Sequence, residues 1–75
     1  MNSPTIKRFT KLLEPKYFMD LIKEARRGQY KVTGKPKDFY EVRDEETQDL
    51  VFNGIFQGRF WIATFSTLYW QEPQN

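Results

Sequence analysis

The hydrophobic positions near the start of the chain recur at helical spacing. Ile6, Phe9 and Leu13 are three and four residues apart, which places them along one side of a helix. A Glu-Pro dipeptide then interrupts the pattern, because the residue before a proline is disfavoured in the helical region. A second apolar stripe follows directly. The pattern therefore predicts two helices, at residues 4–13 and 15–27.

After Gln29 the period of the hydrophobic pattern changes from about 3.6 residues to two. Short runs of alternating apolar and polar residues follow, separated by turn residues, as in antiparallel strands. Two hairpin turns compete within the third and fourth runs. We choose Gln57-Gly58 over Asn53-Gly54, because the latter would leave very short strands. The predicted strands cover residues 29–33, 39–43, 50–56 and 59–70.

The order of these elements predicts an α+β fold. Two helices precede four strands, so we expect two N-terminal helices packed on one face of a four-stranded antiparallel β-meander. The chain would form a single small domain, residues 1–75, with flexible ends at about 1–3 and 71–75. The expected core combines apolar residues from the helices and the strands: Phe9, Leu13, Phe18, Leu21, Ile22, Val32, Phe60 and Ile62.

The stretch GRFWIATFSTLYW, residues 58–70, is apolar on both sides of its predicted strand. Alternation directs Phe60 and Ile62 to one side of the sheet and Trp61 to the other. We assign Phe60 and Ile62 to the side that the helices cover, although the reverse assignment fits the same alternation. In a further alternative, each helix covers one face and no spare face remains. If one face is spare, we expect a partner interface formed by Trp61, Phe65 and Tyr69 on that face, together with Trp70 at the end of the predicted strand.

The composition leaves few ways to stabilise so short a chain. A domain of 75 residues has a thin core, and natural domains of this size often add disulfides, a metal ion or a partner chain. The chain has no cysteine and no histidine, so disulfides are ruled out and the commonest zinc ligands are missing. A partner chain remains. The lack of cysteine favours a reducing cytoplasm, and no apolar run is long enough to span a membrane.

The net charge of +2 hides an uneven distribution along the chain. Residues 1–37 contain ten Lys or Arg and three acidic residues, whereas residues 38–75 contain two and seven. This division indicates an interaction role, although exposed helices and turns also produce such runs without one. Cations in and after the second helix are candidates for contacts with nucleic-acid phosphates. These residues are Lys23, Arg26, Arg27, Lys31, Lys35 and Lys37.

The residue types present argue against catalysis and against a metal site. Without histidine or cysteine, the usual pairs of nucleophile and base cannot be assembled. Glu41 and the acidic residues at 44–49 lie in and beside a predicted exposed turn, with no apolar pocket to raise a carboxyl pKa. Those contiguous acids also lack the spacing and the glycine of a calcium loop. We expect no catalytic, cofactor-binding or metal-binding residues.

These observations predict a non-enzymatic protein–protein interaction module that uses an aromatic sheet face. It would act as a homodimer, or as an accessory or regulatory subunit that docks on a larger protein. The alternative is a regulatory protein that binds single-stranded DNA or RNA with the basic second helix and the sheet aromatics. The acidic residues at 38–49 would weaken nucleic-acid binding if they shared that surface.

Overall fold

The computed structural model describes residues 7–73. These residues contain one helix and five strands: β1 (Arg8–Leu13), α1 (Pro15–Arg27), β2 (Tyr30–Lys35), β3 (Phe39–Asp44), β4 (Leu50–Gln57) and β5 (Phe60–Ser66). The strands form one antiparallel sheet in the order β1-β5-β4-β3-β2, and α1 packs on one of its faces. The fold is α+β with an antiparallel sheet. The predicted arrangement of two helices on a four-stranded meander is wrong.

The difference lies at the start of the chain, where a strand replaces the first predicted helix. Residues 8–13 form β1, which pairs with β5 along its whole length. Phe9 and Leu13 are an even number of residues apart, so they share a face in a strand as well as in a helix. Pairing with β5 then selects the strand, a long-range effect that overrides local helical spacing. Ile6 and the predicted start of the helix lie outside the described residues.

The second predicted helix is confirmed at both ends, as Pro15–Arg27. Its first residue is a proline, which suits a position where the backbone N–H has no helical partner. Arg26 and Arg27 lie in the last turn, next to the negative end of the helix dipole. The N–H of Gly28 closes the helix by donating to backbone carbonyls in its last turn. The buried stripe of α1 consists of Phe18, Ile22 and Ala25.

The remaining strands lie close to their predicted positions, except for the end of β5. It stops at Ser66, because the N–H groups of Tyr69 and Trp70 donate to the Ser66 carbonyl and form a turn. The β4–β5 hairpin turns at Gly58-Arg59, one residue after the predicted pair. Gly58 has φ 65°, a backbone conformation that favours glycine. The alternative turn at residues 53–54 is wrong, since both lie inside β4.

The core lies between α1 and the sheet and consists largely of aromatic rings. Phe18 of α1 stacks on Trp61 of β5, with ring centroids 4.2 Å apart and an interplanar angle of 10°. The rings of Phe18 and Phe52 (β4) are nearly perpendicular, with centroids 5.9 Å apart. Such pairs bury large apolar areas and add specific ring–ring attraction. We call the face of the sheet that packs against α1 the helix side, and the opposite face the open face.

Two of the predicted core residues lie on the open face instead. Phe60 is exposed and Ile62 is half-buried, because β5 directs the alternate residues Trp61, Ala63 and Phe65 towards α1. The prediction therefore assigned the two sides of β5 to the wrong faces of the sheet. The other predicted core residues lie on the helix side: Phe18 and Ile22 are buried, and Phe9, Leu13, Leu21 and Val32 pack at the margin.

Candidate functional site

The four aromatic residues predicted to form a partner interface lie on the helix side. Trp61 and Phe65 are 2% and 4% exposed, so a partner could not contact them without opening the core. Tyr69 and Trp70 follow β5 in a turn that folds back over the sheet. The Trp70 ring lies 4.8 Å from that of Phe65. The structure thus places Trp61 and Phe65 inside the core and the half-buried Tyr69 and Trp70 at its margin, all on the helix side.

Tyr69 contributes to a hydrogen-bonded cluster around Asp44. Its hydroxyl donates to Asp44 Oδ2 at 3.0 Å, and Asp44 Oδ1 accepts the backbone N–H groups of Glu46 and Thr47. The two backbone bonds, followed by the Tyr69 bond, hold the pKa of Asp44 below its usual range. Burial, together with the nearby Asp44 carboxylate, raises the pKa of Tyr69. The cluster orders the acidic turn, which we define as residues 44–49.

Two apolar cavities flank Trp70 on the helix side. One, of about 260 Å³, lies between the C-terminal half of α1 and residues 69–70. The other, of about 250 Å³, lies between α1 and β1 beside Lys11. Both exist because a helix about 10 Å wide covers only part of five strands spaced about 4.8 Å apart. Within the described residues, Trp70 Nε1 is a buried polar atom without a hydrogen-bond partner.

The open face carries a continuous row of apolar side chains. Strand pairing aligns Leu12 of β1 with Ile62 of β5, then Ile62 with Ile55 of β4, and Ile55 with Phe39 of β3. Directly paired residues point to the same face, so these side chains are neighbours across four strands. Phe60 precedes Ile62 by two residues and lies beside the row. We call these five residues the apolar row.

Most of the apolar row is accessible to solvent. Leu12, Ile55, Phe39 and Phe60 are 64%, 54%, 47% and 39% exposed. Six large hydrophobic side chains are exposed in the described part of the chain, and these are four of them. Together they form a patch on the order of several hundred Å², as large as the largest patches on ordinary monomers, which are often functional. The apolar row is therefore the strongest candidate site on this molecule.

A polar row runs beside the apolar row on the same face, two residues away from it along each strand. Pairing aligns five residues across the whole sheet: Thr10, Thr64, Asn53, Glu41 and Thr33. Glu41 accepts a bond from Arg43 Nε at 2.8 Å, and this carboxylate raises the pKa of the Arg43 guanidinium. Arg43 also donates to the Gln48 carbonyl, which ties the open face to the acidic turn. An apolar centre with a polar margin is the composition of an interface.

The cations proposed for nucleic-acid contacts do not share one surface. Lys23, Arg26 and Arg27 belong to α1. Lys31 and Lys35 of β2 lie on the open face, because Lys35 pairs with Phe39 and both alternate with the helix-side Val32. Lys37 lies in the β2–β3 turn with φ 62°. The acidic turn also borders the end of the basic helix, since Gly28–Tyr30 and Asp44–Glu46 line one cavity. Phosphates approaching that end of α1 would meet carboxylates.

Sequence reasoning missed the apolar row because it could not tell the two sides of each strand apart. In β5, Phe60 and Ile62 are about as hydrophobic as Trp61 and Phe65. One signal does mark the helix side. A glycine inside an apolar strand, as at Gly54, often shows where another group approaches the backbone closely. Phe18 of α1 makes this approach.

The remaining observations concern membranes, metals and similar proteins. Residues 7–73 contain no helix that is both long and apolar enough to cross a membrane. Over the same residues, no three or more carboxylates are grouped closely enough to hold a metal ion. Comparisons of the chain with protein-family models, with curated proteins and with solved structures give no match.

Proposed function

We propose that this chain is a non-enzymatic module that acts by associating with protein through its open face. It would do so as a homodimer or as an accessory subunit on a larger protein. The observation that carries this proposal is the apolar row, which runs unbroken across four strands on the face opposite α1. Covering it would remove apolar surface from water at about 25 cal/mol per Å². So small a core would also gain stability from a partner.

The chemistry of the apolar row favours a protein partner over single-stranded nucleic acid. Leu12, Ile55 and Ile62 are aliphatic and offer no ring on which a base can stack. The two rings of the row, Phe39 and Phe60, lie on strands separated by β4. The cations that could bind phosphates are divided between the two faces of the sheet. We place the proposed function in the cytoplasm, because a chain without cysteine suits a reducing compartment.

The proposal is tested by placing a charge in the apolar row. A tagged chain is expressed in its native host, cross-linked in cells, and the cross-linked products are identified by mass spectrometry. We expect Ile55→Lys to abolish the cross-linked complex, because an ammonium group would be buried at the centre of the contact. Tyr17→Lys is the matched control, since it adds the same charge at an exposed apolar position on α1, away from the open face.

Both variants must first show wild-type circular dichroism and urea midpoints. Retention of the complex by Tyr17→Lys and its loss in Ile55→Lys would support the proposal. Equal recovery of the same complex from wild type and Ile55→Lys would overturn it, because the apolar row would then not be the contact surface.

A further inference from the structure

We infer that the surface which covers the apolar row belongs to a different, acidic protein, and not to a second copy of this chain. This inference rests on the proposed function and specifies the partner. The partner surface would have an apolar centre, to match the apolar row, and carboxylates around it, to match the cations at the margins of the open face. The reasons lie in the charges, the area and the edges of the sheet.

The open face carries an excess of cations at its strand positions. Glu41 is the one acidic residue at the described strand positions of this face, and it is already paired with Arg43. Asp38, in the turn before β3, adds a second carboxylate near Glu41 and Ile55, which still leaves the cations in excess. The salt bridges of the described residues are Arg43–Glu41 and an exposed pair on α1, so the other open-face cations have no ion-pair partner there. These cations are Arg8, Lys31 and Lys35.

A two-fold dimer would place this charge pattern against itself. Two-fold symmetry brings the same surface of each copy into contact, and packed sheets lie about 10 Å apart. Both copies would therefore bring the same excess of cations into one closing interface, where an excess of like charge is unfavourable. Carboxylates at the same positions of a different protein would instead attract them.

The available area is too small to offset that repulsion easily. Five strands spaced about 4.8 Å apart, each about 20 Å long, give a face of roughly 500 Å². A face-to-face dimer would thus bury about 1,000 Å² in total, at the weak end of specific interfaces. Part of this area is the polar row. For an interface this small, we expect the choice of partner to depend on whether the partner attracts or repels the open-face cations.

The edges of the sheet show the same charge bias. The charged residues of β1 are Arg8 and Lys11, and those of β2 are Lys31 and Lys35. Cations on edge strands oppose pairing with another copy of the same edge. A second copy is thus disfavoured both at the open face and at the edges, whereas a carboxylate-bearing chain is attracted to both.

The test uses the chain itself as an acidic probe. A variant with Lys31→Glu and Lys35→Glu keeps the shape of the sheet and the whole apolar row, but it presents carboxylates at the margin. Sedimentation equilibrium compares wild type alone with an equimolar mixture of wild type and this variant. We expect the mixed dimer to form at least about tenfold more tightly than a wild-type dimer in about 50 mM NaCl. The difference should shrink in about 500 mM NaCl, where screening acts over about 4 Å.

Two controls make the result specific to the open face. Adding Ile55→Lys to the acidic variant should abolish the mixed dimer, whereas adding Tyr17→Lys, on α1, should not. If substitution at Lys31 lowers stability, Arg8→Glu with Lys35→Glu supplies a second acidic probe on the same face. Circular dichroism and urea midpoints verify the fold of each variant.

Three results would overturn the inference. The first is a wild-type dimer as tight as the mixed one, the second is the absence of a mixed dimer, and the third is tighter binding of wild type to a fluorescent oligo(dT) than to the acidic variant. If the wild-type dimer is as tight as the mixed one and Ile55→Lys abolishes it, the inference is overturned but the proposed function still stands. The proposed function fails separately, if Ile55→Lys leaves the cross-linked complex in cells unchanged.

Discussion

Gly54 lies in the middle of β4, directly beneath the ring of Phe18. A Cβ atom at this position would collide with the end of the Phe18 ring and lie 3.2 Å from Cε3 of Trp61. Its backbone does not have a positive φ, so the requirement is for space and not for conformational freedom. The missing side chain is what allows Phe18 to stack on Trp61.

The first prediction concerns this close approach. Gly54→Ala should lower the free energy of unfolding by about 1–3 kcal/mol, because a methyl group added to a packed core displaces its neighbours. Urea denaturation followed by tryptophan fluorescence measures the change. Asn53→Ala, next to it on the open face, should cost less than about 1 kcal/mol. Equal costs for the two variants would show that Phe18 does not press on Gly54 in solution.

The second prediction concerns the carboxylate of Asp44. Because its pKa is lowered in the folded chain, ionised Asp44 stabilises the fold above about pH 4, and this contribution is lost as the pH falls through the lowered pKa. Tyr69→Phe removes one of its three hydrogen bonds and should raise the Asp44 pKa. The rise should be partial, since the two backbone bonds are the larger causes.

Carboxyl carbon chemical shifts, followed by NMR from pH 6 downwards, measure this pKa in wild type and variant. Tyr17→Phe is the control, because Tyr17 is exposed on α1. An Asp44 pKa that is the same in wild type and Tyr69→Phe would contradict the hydrogen bond.

At the scale of the element, β4 shows how one strand serves two surfaces. Phe52 points into the core, where its ring meets those of Phe18 and Phe65. Ile55, three residues later, points to the open face and is aligned with Phe39 and Ile62. The same strand therefore contributes to the stability of the chain with one side and to the proposed contact with the other.

The third prediction separates these two roles. Phe52→Ala should cost about 3–5 kcal/mol of unfolding free energy, because it leaves a cavity in the core. Ile55→Ala should cost less than about 1 kcal/mol in the isolated chain, because the side chain is already exposed. Urea denaturation measures both, and Phe52→Leu replaces Phe52→Ala if the latter does not fold. A large cost for Ile55→Ala would mean that the open face is covered within the chain.

At the scale of the whole molecule, the described structure is a two-layer sandwich of one helix and one sheet. Its Cα extents are 44 × 32 × 17 Å, and the shortest dimension spans the two layers. The helix α1 covers part of one face of the sheet. The turn at residues 67–70 covers a further part of the same face with the side chain of Trp70. The opposite face has no helix in the described part of the chain. This inequality between the faces motivates the proposed association with protein.

The charges also look different at this scale from their order along the chain. The sequence separates a basic first half from an acidic second half. In the structure, the basic end of α1 and the acidic turn lie at the same end of the sheet. The basic and acidic halves of the chain therefore do not form two oppositely charged ends of the molecule. The cations on the open face say more about the partner than this division along the chain.

The sequence by itself determined the elements that depend on neighbouring residues. The bounds of α1 follow from a proline at its start, arginines in its last turn, a glycine just after it and an apolar stripe at helical spacing. The positions of β2, β3 and β4 follow from alternation and from the turn residues between them. These signals are local, so they can be read without knowing what the segments pack against.

Only the tertiary structure decided the identity of β1 and the choice of faces. Residues 8–13 have a pattern that suits a helix or a strand, and pairing with β5 selects the strand. Both sides of β5 are apolar, and the position of α1 selects Trp61 for the core and leaves Ile62 on the open face. Both choices depend on contacts between segments far apart in the chain. Local hydrophobic periodicity contains no information about such contacts, so the apolar row becomes visible only in the folded sheet.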